Sequence, residues 1–238
     1  MSRIIGFGNG DFWKLHTKET QRFDNAFLKS LNDVKTNAVE LHCRDVESLD
    51  FLLQNDIDSL NSFEFISVHA LDLAYDDSND SHGVLQKIEQ ICIKYNTKNV
   101  VFHTDKVQNW DVIAQYKKIP ISIENMDDRK PFGRTLEDVN SILEKYAFGL
   151  TLDLQHCFVN DATMKLAQDF QKKFKNRIVE YHISGFEEEV LHYPLYKTKQ
   201  DIIIDSLMYK DIPIIIESVF DAFGEEKDEL QYIQKRLK

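Results

Sequence analysis

Short runs of apolar, mostly β-branched residues recur along this chain and alternate with longer stretches in which the apolar residues follow helical spacing. The apolar runs predict eight strands, at about residues 3–8, 38–43, 65–70, 99–104, 121–126, 149–154, 178–183 and 213–219. The longer stretches predict eight helices, at about residues 17–35, 45–57, 83–96, 108–118, 135–146, 162–175, 198–210 and 226–237. Thr135 and Asp161 stand where the N-caps of two of these helices are expected. Strand and helix therefore alternate throughout the chain.

Several predicted strands are apolar at nearly every position, as residues 212–216 are. This pattern suits parallel strands, because helices cover them on both faces. The chain's 238 residues match the size of a small eight-stranded barrel, and no Pro-, Gly- or Ser-rich linker divides it. We therefore predict an α/β fold, a single-domain (β/α)8 TIM barrel over residues 1–238.

An open, doubly wound sheet is the alternative fold, since it is built from the same strand and helix units. Such a sheet normally has a glycine-rich phosphate-binding turn after its first strand. Residues 6–10 are rich in glycine but lack the G-x-G-x-x-G spacing of that turn. The barrel remains the prediction.

Charge and cysteine content indicate which partners and which cellular compartment to expect. Twenty-nine basic and forty acidic residues give a formal net charge of −11, which repels a phosphate backbone and disfavours nucleic acid as a partner. The three cysteines form no C-x-x-C pair, which fits a reducing compartment. No stretch approaches the roughly 18 apolar residues of a membrane span. We expect a cytoplasmic protein without a membrane partner.

Seven of the eight predicted strands end in a residue that can bind a metal or transfer a proton. In a TIM barrel these strand ends lie together at the mouth, where active sites are built. The last four strands end in three carboxylates and one imidazole, a set that suits a divalent cation such as Mn, Co, Mg, Fe or Zn. These residues are Glu124, Asp153, His182 and Glu217. The competing interpretation is that they are solvated loop residues or helix caps.

Four histidines extend this candidate site. His69 and His103 end the third and fourth strands, His156 follows Asp153 by three residues, and His192 lies in the loop after the seventh strand. A neutral imidazole at a barrel mouth can bind a further metal or contact a substrate, although a histidine satisfied by backbone groups is the alternative. His42, which ends the second strand, is interpreted as a structural or supporting residue.

The ordered series of strand ends resembles that of the xylose isomerase-like TIM-barrel superfamily, which contains sugar isomerases and epimerases as well as endonuclease IV-type nucleases. The resemblance covers nearly the whole chain. Each motif is short, but their order is specific. The matching segments are Val39-Glu40-Leu41-His42, Ser67-Val68-His69-Ala70, Val101-Phe102-His103-Thr104, Ile123-Glu124-Asn125-Met126, Leu152-Asp153-Leu154-Gln155-His156, Tyr181-His182-Ile183-Ser184 and Ile216-Glu217-Ser218.

The resemblance to ketose epimerases implies one divalent metal, held by Glu124, Asp153, His182 and Glu217. It also implies that Glu124 and Glu217 are the catalytic pair and exchange protons with a keto sugar through an enediolate. His156 would bind a substrate hydroxyl. A metal would lower the free energy of the developing oxyanion, and the two carboxylates would act as base and acid.

The resemblance to endonuclease IV-type enzymes implies instead a zinc cluster that cleaves phosphodiesters. An Asp-x-His pair after the seventh strand belongs to that cluster, and here Val190 stands where the Asp would be, two residues before His192. This departure weakens the case for a third zinc ion. The positions that match the other zinc ligands are His69, His103, Glu124, Asp153, His156, His182 and Glu217.

We favour the isomerase or epimerase, acting on a small keto or aldo sugar. The acidic composition and short loops lack the extended basic and aromatic features that grip and bend DNA. A third class stays open, because a fold does not fix a function. Such a barrel would use its metal in another small-molecule reaction, such as a dehydration, or would bind a ligand without turnover.

Overall fold

Eight parallel strands follow one another around a closed barrel in chain order, and the last strand pairs with the first. The computed structural model describes residues 3–237. Every strand lies inside a predicted strand range, and the prediction of a single-domain (β/α)8 TIM barrel is confirmed. The strands are β1 (Ile5–Gly8), β2 (Ala38–His42), β3 (Phe65–His69), β4 (Asn99–His103), β5 (Ile121–Glu124), β6 (Gly149–Asp153), β7 (Ile178–Ile183) and β8 (Ile214–Ile216).

Helices fill the connections between the strands. Three short 3-10 helices, Asn9–Leu15, Glu19–Phe23 and Asp58–Ser62, precede or interrupt the α-helical segments. Among residues 3–237, no helix combines the length and the hydropathy that crossing a membrane requires. The α-helices are α1 (Asn25–Asp33), α2 (Val46–Gln54), α3 (Asn79–Tyr95), α4 (Trp110–Ile113), α5 (Leu136–Leu143), α6 (Leu154–Asn160), α7 (Lys165–Phe174), α8 (Leu195–Thr198), α9 (Asp201–Asp205) and α10 (Glu225–Arg236).

The two faces of each strand have different environments. Val39 and Leu41 of β2 belong to the main apolar core, whereas Ala38 belongs to a small separate cluster with Phe65 and Ile215. Alternate residues of a strand share a face, so the inner face of β2 changes from apolar at its start to polar at its carboxyl end. This gradient places chemistry at the mouth and packing at the floor.

The strand register brings the predicted site residues together in pairs. His103 lies beside Glu124 across β4 and β5, and Asp153 lies beside His182 across β6 and β7. Between β1 and β2, Gly6 allows the two strands to approach closely, since a Cβ atom there would overlap the carbonyl oxygen of Ala38. Residues distant in sequence therefore become neighbours through backbone pairing alone.

Two helix starts that the sequence marks have different outcomes. Thr135 caps α5, because its hydroxyl accepts a hydrogen bond from the Asp138 amide at 3.1 Å. The prediction of a helix from Asp161 was wrong: Asp161 ends α6, and its carboxylate accepts the amides of Thr163 at 3.0 Å and Leu166 at 2.9 Å. This turn delays α7 to residue 165, and α6 itself was not predicted.

Three other predicted helices are shorter or divided. In the stretch 17–35, the Gln21 side chain accepts the amides of Thr17 and Lys18, which forms a separate turn before α1. In the stretch 198–210, Lys199 adopts a left-handed conformation with φ of 57° and separates α8 from α9. In the stretch 108–118, only α4 is α-helical and tight turns follow it.

Candidate metal centre

Four side chains at the mouth of the barrel form one buried group. They are the ligands that the sequence predicts, and each offers an atom within 4.8 Å of the others. None of the four residues, taken as a whole with its backbone, is more than 8% exposed. The ends of four consecutive strands supply them, since Glu124 ends β5, Asp153 ends β6, His182 lies in β7 and Glu217 follows β8.

His182 lies at the centre of this group. Its Nδ1 atom is 3.1 Å from Glu217 Oε2 and 3.3 Å from Glu124 Oε1. The imidazole is fully buried. Its two neighbours therefore approach the same nitrogen, which is the arrangement expected of ligands around a common centre.

Glu124 connects this group to a second one. Its Oε2 atom lies 3.2 Å from His103 Nε2 and 3.6 Å from His69 Nε2. The structure thus places His69 and His103 together on the outer oxygen of Glu124, and the three form a second potential metal-binding group. The two oxygens of one carboxylate face two different groups.

The rings of His69 and His103 are held from behind. His69 Nδ1 is 3.1 Å from the carbonyl oxygen of Ala70, and because a carbonyl only accepts, this nitrogen must donate. His103 Nδ1 lies 2.9 Å from Asp72 Oδ1. In both residues Nε2 is left to face Glu124. Metal-binding histidines are typically oriented in this way by a carbonyl or a carboxylate on the other nitrogen.

Asp153, His156 and His192 form a third group. Asp153 Oδ1 caps α6 by accepting the amides of Gln155 at 2.6 Å and His156 at 3.0 Å. The helix-cap interpretation is therefore correct for this oxygen, while Oδ2 remains without a hydrogen-bond partner. His156 Nδ1 donates to the carbonyl oxygen of Asn125 at 2.8 Å, and His192 Nδ1 lies 2.9 Å from the Ser184 hydroxyl.

The donor atoms of the first group fit a divalent cation. Among residues 3–237, Asp153 Oδ2 and His182 Nδ1 are both buried without a hydrogen-bond partner. Leaving such atoms unpaired costs free energy, so their convergence indicates a ligand that satisfies them together. Carboxylate oxygens with one or more imidazoles suit Mn, Fe, Co or Zn more closely than Ca.

The carboxylates of this group are held ionised by the histidines. Burial alone would raise the pKa of Glu124, but contacts from His103, His182 and His69 outweigh it and hold that pKa well below its usual range. Burial acts in the same direction on Glu217, yet the charge and contact of His182 lower its pKa to about 2. Asp153 differs, because burial and the neighbouring carboxylates Glu217 and Glu124 raise its pKa to about 7 against the charge of His156.

A pocket of about 720 Å³ opens above these groups. Asp153 and His182 lie beneath its surface, whereas the other predicted site residues line it: His69, His103, Glu124, His156, His192 and Glu217. The size is within the range of small-molecule sites. His42 also lines the pocket and stacks on His69 with ring centroids 4.4 Å apart.

Four basic side chains lie at the mouth of this pocket, and three are neutralised. Lys14 pairs with Asp221 at 2.7 Å, Lys130 with Asp105 at 3.8 Å and Arg129 with Asp127. Arg44 is the fourth, and among residues 3–237 it forms no ion pair within 4.0 Å. The mouth is therefore not the continuous basic surface that binds a polyanion.

Sequence reasoning missed several buried acids around the site. Glu40 and Glu180 are fully buried inside the barrel, Asp127 is a buried residue that lines the pocket, and Asp11 contributes a buried oxygen from the 3-10 helix after β1. A signal for the first two was present, because each is a lone charged residue within an apolar parallel strand. No comparable pattern marks Asp11 or Asp127.

Several solved enzyme structures share this fold. A 3-keto-D-glucoside 4-epimerase from E. coli matches with a TM-score of 0.65 and 12% identity, over 98% of this chain and 100% of that one. A D-allulose 3-epimerase from Methylomonas sp. matches with a TM-score of 0.65 and 13% identity, over 99% of both chains. Endonuclease IV from Thermus thermophilus matches with a TM-score of 0.66 and 11% identity, over 99% of this chain and 98% of that one.

These neighbours share the barrel fold of this chain. No family model matches the sequence, and no curated protein matches it either. At such low identities the structural matches establish the shared fold, and they include both sugar epimerases and a nuclease. The choice between activities therefore rests on the side chains of this chain.

Proposed function

We propose that this protein is a divalent-metal-dependent isomerase or epimerase of a small keto or aldo sugar. The observation that carries the proposal is the pair of buried carboxylates Glu124 and Glu217. Both contact the same nitrogen of His182, at 3.3 and 3.1 Å, and both line one pocket. Two such carboxylates on one small-molecule pocket are suited to moving a proton between two positions of a substrate.

Each of the two glutamates can accept a proton at pH 7. The histidine contacts keep both ionised, so neither needs to lose a proton before acting as a base. One carboxylate removes the proton from the carbon beside the sugar carbonyl. The other takes up a proton from water and delivers it to the substrate to give the isomer, and the first then releases its proton to water. Glu217 is the more accessible, with a side chain that is 10% exposed against 1% for Glu124. We assign it the first proton transfer.

Glu124, Asp153, His182 and Glu217 would hold the cation in this reaction. When bound, the cation supplies electrostatic stabilisation of negative charge that develops on the substrate oxygens. His156 borders the pocket with its Nε2 side, because its Nδ1 is committed to Asn125. That edge is positioned for a sugar hydroxyl. Arg44, which has no acidic partner in the described part of the chain, would provide a further polar contact at the mouth.

The test is transfer of solvent deuterium into the sugar. Protein saturated with Mn²⁺ would be incubated in D₂O with a panel of ketopentoses and ketohexoses, and the products followed by ¹H NMR. Metal-dependent loss of a C–H signal next to the carbonyl, together with appearance of the isomer, is the expected result. Absence of exchange across the panel with Mn²⁺, Co²⁺, Mg²⁺ and Zn²⁺ would refute the proposal.

Metal-dependent phosphodiester hydrolysis is the second candidate. The groups formed by His69, His103 and Glu124, and by Asp153, His156 and His192, favour it because they flank the first group and share its carboxylates. Adjacent metal sites are typical of phosphoester hydrolases. Two or three Zn²⁺ ions per chain with cleavage of abasic-site DNA would support this candidate, whereas one ion per chain without cleavage would support the isomerase.

A further inference from the structure

A second acidic layer lies inside the barrel, directly below the candidate metal centre. Glu40 of β2 and Glu180 of β7 are fully buried there. His182 separates the two layers: its Nδ1 faces Glu124 and Glu217, and its Nε2 faces downward. Nε2 lies 3.3 Å from Glu40 Oε2 and 3.5 Å from Glu180 Oε1.

The two lower carboxylates are not equivalent. Glu180 is satisfied on both oxygens, since it accepts the Ser67 hydroxyl at 2.9 Å and the Asn99 amide at 2.6 Å. Glu40 Oε2 lies 3.3 Å from the same Ser67 hydroxyl, whose single proton is given to the closer Glu180, and Oε1 of Glu40 has no hydrogen-bond partner among residues 3–237. Oε2 of Glu40 is therefore left to Nε2 of His182, which lies 3.3 Å from it.

A histidine that binds a cation through one nitrogen carries a proton on the other. That proton needs an acceptor in a buried site. Here Glu40 Oε2 is the nearest acceptor to Nε2, and among residues 3–237 no other group forms a hydrogen bond with that nitrogen. A carboxylate in this position fixes the tautomer and the plane of the ring and makes the metal-binding nitrogen more basic.

We propose that Glu40 is a positioning residue that accepts a hydrogen bond from the Nε2–H group of His182. It thereby directs Nδ1 of His182 toward the metal held by Glu124 and Glu217. Glu180 acts differently, as an anchor of the barrel floor through Asn99, which also donates to Thr151 at 3.0 Å. The inference rests on the metal centre of the proposed function, and it does not depend on which reaction the metal assists.

The test compares two matched pairs of variants by Co²⁺ titration, followed by calorimetry and by the visible absorption of the bound ion. Glu40→Leu removes the acceptor and should weaken Co²⁺ binding by about 10- to 100-fold and change the absorption spectrum. Glu40→Gln keeps a neutral acceptor and should fall between Glu40→Leu and the wild type. Glu180→Gln and Glu180→Leu should bind Co²⁺ within about threefold of the wild type.

Equal losses in the Glu40 and Glu180 variants would overturn the proposal, because they would indicate a general disturbance of the barrel. Wild-type affinity and spectrum in Glu40→Leu would also overturn it. A second measurement needs no variant: long-range ¹H–¹⁵N correlation of ¹⁵N-histidine in the Zn²⁺-bound wild type should show a proton on Nε2 of His182, and a proton on Nδ1 would contradict the proposal. If the Glu40 result holds while no sugar is turned over, the positioning role stands and only the proposed reaction fails.

Discussion

Asp72 Oδ1 lies 2.9 Å from Nδ1 of His103, on the side of the ring opposite Glu124. The contact joins a half-exposed carboxylate at the rim to a histidine that lines the pocket. Burial acts to lower the pKa of His103, but the contacts with Asp72 and Glu124 raise it to about 10. Asp72, in the loop after β3, therefore influences the charge and the orientation of His103, a candidate ligand at the end of the next strand.

Replacing Asp72 by Asn should weaken metal binding at the group of His69, His103 and Glu124. We expect a loss of roughly 10-fold in affinity for a second Zn²⁺ ion, since supporting carboxylates have effects of about that size. Equilibrium dialysis with elemental analysis would measure it. Asp77→Asn is the matched control, because Asp77 contacts His82 at 3.0 Å outside the pocket. Equal affinities in the two variants would count against a metal at His103.

Replacing Glu217 by Gln should abolish turnover while the fold is retained. General acid or base catalysis typically contributes about 10²- to 10⁴-fold, and we expect a loss in kcat of that order. The measurement is the rate of solvent deuterium exchange, with metal content determined in parallel to separate chemistry from metal loss. Glu187→Gln, in the exposed loop after β7, is the control. A fully active Glu217→Gln variant would exclude its catalytic role.

Adding metal should raise the melting temperature of the protein. A ligand at 100 times its Kd stabilises the folded state by about 2.7 kcal/mol, which corresponds to roughly 5–10 °C for a chain of this length. Differential scanning calorimetry of chelator-treated protein with and without Mn²⁺ or Zn²⁺ would measure the shift. Glu124→Gln should lose most of it, because Glu124 belongs to two groups. An unchanged melting temperature with every metal would contradict the metal centre.

Metal-free protein should lose stability as the pH rises from about 7 to 9. The folded-state pKa of His103 is about 10, above the ordinary value of 6.5, so the folded state keeps a proton that the unfolded state has lost. Unfolding then releases a proton, and the free energy of unfolding falls with rising pH. Urea denaturation at pH 7, 8 and 9 would measure the slope.

Asp72→Asn provides the control for this pH dependence. It removes one of the two carboxylate contacts that raise the pKa of His103, so the slope should become shallower. The same slope in wild type and variant would show that other groups cause the pH dependence.

The sequence was most informative where chemistry follows strand order. A strand that ends in Glu124 or carries His182 near its end must place that residue at the mouth once the barrel closes, so the grouping of these side chains could be predicted without coordinates. The supporting contacts could not. Asp72 in the loop after β3 reaches His103 at the end of β4, and Glu40 meets His182 across the barrel, so neither pair is visible as a spacing along the chain.

The helices were less well predicted for a related reason. α6 begins directly at the end of β6 because Asp153 caps it, and the same residue had been interpreted mainly as a metal ligand. A side chain with two oxygens can perform both tasks. Periodicity reports only which face of a segment is apolar, and it does not show where a side chain such as that of Gln21 or Asp161 interrupts the helical hydrogen bonds.

The two oxygens of Glu124 have different neighbours, and this affects how the two metal positions beside it would fill. Oε1 faces His182 and Oε2 faces His69 and His103. Two cations bound on either side would share one negative charge, so the first ion would reduce the attraction for the second. Filling of the two positions would then be anticooperative, and the number of ions found in the protein would depend on the metal concentration during its isolation.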